Sequence, residues 1–169
     1  MIKLHAQPYD ISATGFYFDD AEEYTRKAAI AQNAYGDPVE EFEIQFIDSD
    51  DDLDASFAEA FGLNQANIAR FFNLADTWDD QDKQRFIIAV GECGYSFDSD
   101  TVNPDDFEVD IYEVDSLKDL AEMFVDEGLY GEIPEPLRFY IDYEAIARDL
   151  SVDFSEITLG GTRYAYACR

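Results

Sequence analysis

Apolar side chains recur at every second position where the chain begins. Ile2, Leu4 and Ala6 alternate with polar neighbours, and Phe16 and Phe18 do so again, which is the period of a half-buried strand. From Asp20 the period lengthens. Asp20 and Glu23 form a capping pair for a helix with Ala21, Tyr24, Ala28, Ala31 and Tyr35 as its buried stripe, and Gly36-Asp37-Pro38 ends it. Phe42, Ile44 and Phe46 then alternate with Glu41, Glu43 and Gln45, predicting a third strand with an acidic outer face.

The next stretch reads mostly helical. Asn64 can cap a helix carrying Ile68, Phe71, Phe72 and Ala75, and a second helix is expected from Asp79, burying Phe86, Ile87 and Val90 and ending at Gly91 or Gly94. Ser96 to Pro104 is a loop by composition. Alternation resumes at Phe107, Val109 and Ile111. Ser116 and Asp119 then cap a helix with Leu117, Leu120, Ala121 and Phe124, closed by Gly128. Pro134 suits the first turn of a further helical segment bearing Phe139, Tyr143, Ile146 and Leu150 on one stripe and Tyr140 and Ala147 on an adjoining one. Gly160-Gly161 between two alternating runs signals a hairpin. The expectation is an α+β chain of three small lobes: residues 1–52 (α+β), 53–103 (mainly helical) and 104–169 (α+β).

Charge changes the picture. Among 169 residues, 39 Asp and Glu face 11 Lys and Arg, a formal net charge of −28. Such a balance excludes nucleic-acid binding through a basic patch and disfavours anionic membranes. Disordered acidic chains are poor in aromatics, whereas here 15% of residues are aromatic and 47% apolar, so this chain folds. No apolar run reaches the roughly 18 residues of a membrane span, and Met1 to His5 lacks the apolar core of a secretion signal. Cys93 and Cys168 make no metal framework and are expected as reduced thiols in a cytoplasmic protein.

The acids also lack basic neighbours. Ten fall between Lys27 and Arg70 and nine between Arg85 and Lys118, both stretches free of Lys and Arg. Their spacing, two residues apart on a strand or four on a helix, repeats charge at about 5–7 Å. One reading is a solvated, salt-adapted face. The other is a surface displayed to a protein whose own site is basic, comprising Asp48, Asp50, Asp51, Asp52, Asp54, Glu59, Asp98, Asp100, Asp105, Asp106, Glu108, Asp110, Glu113 and Asp115.

Candidate chemistry is sparse. Asp48 to Glu59 places acids at positions 1, 3, 5 and 12 of a calcium loop, but Leu53 stands where glycine makes the sharp turn. Calcium binding is therefore an alternative, and no metal site or cofactor is expected. His5 is the only histidine, and Cys93 has no activating context. There is no phosphate loop, zinc constellation or nucleophile elbow. No catalytic residue is assigned, and the chain does not read as an enzyme.

The segment from Leu129 to Leu150 carries two paired features. Gly131-Glu132-Ile133-Pro134 is followed by Tyr140-Ile141-Asp142-Tyr143-Glu144-Ala145 and Ala147-Arg148-Asp149-Leu150. It resembles the antirestriction motif of the ArdA family, and Gly15-Phe16-Tyr17-Phe18-Asp19 fits as well. The resemblance implies an elongated homodimer that mimics DNA and occupies the DNA-binding groove of type I restriction–modification enzymes. It places the motif in the last domain, at the dimer contact, with Pro134, Phe139, Tyr140, Asp142, Tyr143, Glu144, Ile146, Arg148 and Asp149 as the residues concerned. Duplex DNA carries one charge per about 1.7 Å. Two chains would carry a formal −56, twice the −28 of one, matching about 95 Å of duplex or roughly 28 base pairs.

Overall fold

Leu4 and Ala6 are fully buried while Lys3 and Gln7 face solvent, so the opening alternation builds strand β1 (Lys3–Pro8) in the computed structural model, which describes residues 1–169. β1 lies between β2 (Phe16–Phe18) and β3 (Phe42–Asp48), antiparallel to both. Helix α1 (Ala21–Ala29) follows β2. Its start is the expected one: the Asp20 carboxylate accepts the Glu23 N–H, and the Glu23 carboxylate accepts that of Asp19. Tyr24 of α1 meets Phe16, Phe18 and Phe42 with ring centroids 5.0–6.2 Å apart, joining helix to sheet.

The end of α1 differs from expectation. The helix stops at Ala29, and Tyr35 is exposed rather than part of a buried stripe. Asn33 explains the change, because its side-chain oxygen accepts the N–H groups of Tyr35 and Asp37 and offers the backbone a turn instead of more helix. Val39 then bonds back to the Ala31 carbonyl.

Gly15 has a steric role. A Cβ there would stand 2.6 Å from the Ala6 carbonyl oxygen and 2.6 Å from His5 Cε1. The His5 ring is held at this place by Tyr17, 4.6 Å away, and by Gln45 Oε1, 3.2 Å from its Nδ1. The glycine of the Gly15-to-Asp19 motif thus lets the chain pass close over the sheet.

Three helices come next: α2 (Asp54–Phe61), α3 (Ile68–Thr77) and α4 (Asp80–Phe86). Phe57 lies at their centre, stacked on Phe71 at 5.3 Å and edge-on to Phe86 at 5.4 Å, with Trp78 5.5 Å away. Asp79 caps α4 as the pattern indicates, and α4 runs on as a π-helical turn, Ile87–Glu92. Asn67, not Asn64, occupies the cap position of α3; Asn64 instead shapes the preceding turn by accepting the Ala66 N–H. A 3-10 turn at Pro104–Asp106 precedes Phe107, where the first of two compact units, Met1–Phe107, ends. Phe18 against Phe72 at 6.3 Å packs the first sheet onto the helices within that unit.

The second unit, Glu108–Arg169, has its own sheet and core. Strands β4 (Val109–Glu113), β5 (Ser155–Leu159) and β6 (Thr162–Cys168) form an antiparallel sheet in the order β4-β6-β5. Gly160 and Gly161 link β5 to β6 with φ of 55° and 79°, the two-residue turn that needs positive φ twice. Helix α5 (Leu117–Asp126), capped by Ser116, sets Leu120 and Phe124 against Phe154, Ala165 and Ala167. Both units combine helices with antiparallel sheet, so the fold is α+β.

Two further expectations are corrected. The helical segment from Pro134 is not continuous: a 3-10 turn (Glu135–Tyr140) precedes α6 (Tyr143–Leu150), and Ile141 between them is extended. Phe139 therefore leaves the apolar stripe of Tyr143, Ile146 and Leu150 and is 90% exposed. Neither cysteine is a free thiol, for Cys93 and Cys168 are both disulfide-bonded.

Gly15→Ala is expected to lower stability by about 1–3 kcal/mol, because both atoms the new methyl meets are held in place. Thermal melting checks this; a melting temperature equal to that of the parent chain means that the loop simply moves off the sheet.

Candidate functional site

Carboxylates cover both units. Of the 39 acids, only Asp10, Asp19, Glu23, Asp51, Asp54, Asp82, Asp110 and Glu122 are less than exposed, and Asp54 alone is buried. Backbone N–H groups do much of the work that cations do in balanced proteins. Asp20, Asp79 and Asp142 each cap a helix, where free N–H groups and the helix dipole favour negative charge. Asp10 accepts from Asn33 Nδ2, Ser12 Oγ and the Ser12 N–H, and these bonds hold its carboxyl below the usual range.

The run from Asp48 to Glu59 divides in two. Asp48, Asp50, Asp52 and Glu59 face solvent; only Asp50 has a cationic partner, the terminal ammonium of Met1. Asp51 and Asp54 turn inward to Lys83 on α4, with Nζ–carboxylate distances of 2.6 and 2.8 Å. Asp54 is 3% exposed and Lys83 4%. Ser49 Oγ donates to the second Asp54 oxygen at 2.7 Å, and Asp51 accepts the Leu53 N–H at 2.8 Å. Burial alone would push the Asp51 carboxyl up, but the Lys83 ammonium and the Leu53 N–H together hold it below the ordinary carboxylate range. Burial pulls the Lys83 ammonium down, and its two carboxylate partners more than reverse this. Asp54 is thus buried in an ion cluster with Lys83 and is not displayed, and half-buried Asp51 joins that cluster from its edge.

The same geometry bears on calcium. The second half of the loop-like run is helix α2, and no group of three or more His, Cys, Asp or Glu side chains is placed to hold a metal. Calcium needs six to eight converging oxygens.

Elsewhere the structure separates the remaining candidates by unit. In the first, Asp98, Asp100, Asp105 and Asp106 are exposed, Asp98 and Asn103 closing local turns onto the N–H groups of Asp100 and Asp105. In the second, Glu108, Glu113 and Asp115 are exposed, while Asp110 is half-buried and bonded to the Arg169 guanidinium at 2.5 and 2.7 Å.

Motif residues take three roles. Asp142 caps α6 through the Ala145 N–H at 3.0 Å. Tyr143 and Ile146 are half-buried, and Leu150 packs on the core of Leu120 and Phe124. Pro134, Phe139, Tyr140, Glu144, Arg148 and Asp149 are exposed, with Tyr140 at 84%. Arg138 pairs with Asp126 and Glu135 rather than Asp142, because the break at Ile141 carries Asp142 out of helical register.

Sequence reasoning missed Lys83. Its signal was present: Lys83, Phe86, Ile87 and Val90 share one helical face, so the lone cation on that face had to find acids inside.

No helix is long and apolar enough to cross a membrane. A sequence model of the family described as antirestriction protein (ArdA) matches residues 11–163. A search of curated proteins found no match.

Lys83→Met should destabilise the fold by about 3–5 kcal/mol, since it strands two carboxylates, one of them buried. The sign with pH follows from Asp51. Its depressed carboxyl contributes stability above the unfolded value near 3.9 and loses it as pH falls through the lower folded value. Lys83, raised, contributes below the unfolded value near 10.4 and loses that as pH rises through the higher folded one. The gap in melting temperature between parent and variant should therefore be widest between those limits and close in acid. A gap that stays constant into acid places the loss in packing instead.

Proposed function

The chain belongs to the ArdA family of antirestriction proteins, and from that premise we propose that it inhibits type I restriction–modification enzymes by occupying, as a homodimer, the groove in which they hold DNA. The observation that carries the reading is the outward, largely unpaired placement of the acids in each unit. A groove evolved for phosphates presents Lys and Arg, and binding it releases the counterions condensed on both surfaces. The inhibitor offers no bases to cut or methylate, and the role needs no catalytic residue and no cofactor.

Assembly is part of the proposal. Leu129, Tyr130, Leu137, Phe139 and Tyr140 are all exposed along the motif segment of the second unit. So much apolar surface in one short stretch favours a covered face. A second copy, meeting the same patch across a two-fold axis, covers it without any new sequence.

Binding through many exposed carboxylates has a distinctive mutational signature. Neutralising Asp48, Asp52, Asp105 or Asp106 alone should weaken inhibition less than about fivefold, and all four together more than about tenfold. Inhibition of restriction, titrated against competitor DNA, should also weaken as NaCl rises, while the melting temperature of the free inhibitor rises through screening of self-repulsion. One such substitution that abolishes inhibition in a folded chain would sink the distributed-charge reading.

Phe139→Asp adds a charge at a position already 90% exposed, so the chain should stay folded. A sizing column should show a monomer, with inhibition reduced because half the mimic spans half the groove. A dimer of unchanged size puts the interface elsewhere.

A further inference from the structure

Glu59 is an exposed acid that stands at the edge of an apolar-walled cavity. Where α2 crosses β3, a pocket of about 250 Å³ is lined by Ile44, Phe46, Ala55, Ala58, Glu59 and Leu63, with Gly62 at one end. Its shape has a sequence cause. Ala55, Ala58 and Gly62 fall at i, i+3 and i+7, so one face of α2 carries almost no side chain and forms a low floor. Ile44 and Phe46 of β3 rise beside it. Gly62 adopts φ 70° and reverses the chain, so that the Leu63 N–H bonds the Ala58 carbonyl at 3.2 Å and the leucine closes the end. Glu59 is the only charged residue in the lining, and its exposed carboxylate forms no ion pair with any base of the chain.

The volume falls below the roughly 300–1,000 Å³ of a metabolite site and suits a single side chain. Apolar walls with one carboxylate at the edge match a long methylene stem ending in a cation. The whole chain, at −28, attracts partners of that charge.

We propose that this pocket receives one lysine or arginine side chain from the DNA-binding groove of the restriction enzyme, its stem against Ile44, Phe46 and Ala58 and its cationic head on Glu59. The inference rests on the inhibitor reading above and adds a point of concentrated affinity to a surface of otherwise interchangeable charges. DNA phosphates offer such a side chain a charge but no apolar wall, so the contact favours the inhibitor over the nucleic acid it displaces.

The test uses the full chain and a purified type I enzyme at fixed NaCl, with DNA as competitor. Glu59→Gln removes the anion, and Ala55→Leu, at an exposed position of good helix propensity, fills the mouth without altering charge. Asp76→Asn on α3 removes an exposed acid away from the pocket. Each pocket variant should raise Kd about tenfold, the loss of one charge-assisted contact, and the double variant should lose less than the product of the two. Asp76→Asn should cost less than about twofold. Pocket variants that match Asp76→Asn overturn the pocket while leaving the inhibitor reading intact. A parent chain that does not bind the enzyme overturns both. A change of oligomeric state in either pocket variant assigns the pocket to a second copy and overturns the proposal too. Should Ala55→Leu lower the melting temperature, Glu59→Gln alone decides, since its side chain already faces solvent.

Discussion

Repulsion among carboxylates is the constraint that each element of this fold answers to. With 39 acids and 11 bases, most negative charges can be neither paired nor buried, because an unpaired carboxylate in the interior costs several kcal/mol. They must therefore lie outside, and each strand and helix must keep one face for them. What remains for the inside has to supply the whole driving force. Aromatic side chains do so with the most area per residue. Phe16, Phe18, Tyr24 and Phe42 tie the first sheet to α1, Phe57, Phe71, Trp78 and Phe86 join the helices, and Tyr112, Phe124 and Phe154 fill the second unit.

The same constraint shows in how the few bases are used. Several also brace the backbone. Lys27 donates to the Tyr17 carbonyl at 2.7 Å, Arg70 to those of Ser99 and Asp100 at 2.6 and 3.3 Å, and Arg85 to that of Phe107 at 3.0 Å. The two arginines thereby fix irregular segments, Ser99–Asp100 and Phe107, and Lys27 ties α1 to strand β2. Lys83 goes further inside and joins the end of β3 to α4 through Asp51 and Asp54. Cations placed in this way stabilise the fold while leaving the outward carboxylates available. A chain that spread its bases among its surface acids would fold as well and display far less charge.

Stability and display are thus served by different members of one acidic run. Within Asp48 to Glu59, Asp51 and Asp54 hold the interior, Asp48 and Asp52 face water, and Glu59 edges a cavity. Neutralising the run as a block would confuse the three roles, and a loss of inhibition would then say little about binding. The motif of the second unit is divided similarly. Asp142 caps α6 and Leu150 seats it on the core, whereas Phe139 and Tyr140 stand in solvent, available to a partner.

By itself the amino-acid sequence determined whatever depends on near neighbours. The alternation at Leu4 and Ala6, the caps at Asp20, Asp79 and Ser116, the Gly160-Gly161 turn and the acidic excess all act over a few residues, and each stands in the structure where the pattern put it. The family resemblance came from a similarly local run, Tyr140 to Leu150. Tertiary structure decided what depends on distant partners. Asp51 and Asp54 meet Lys83 across 32 and 29 positions, and nothing in the run distinguishes them from Asp50 and Asp52. The pocket beside Glu59 arises likewise, where α2 crosses β3. The physical reason is range: propensity, capping and periodicity are set within one or two turns of backbone, whereas burial and ion pairing are set by whatever the folded chain brings alongside.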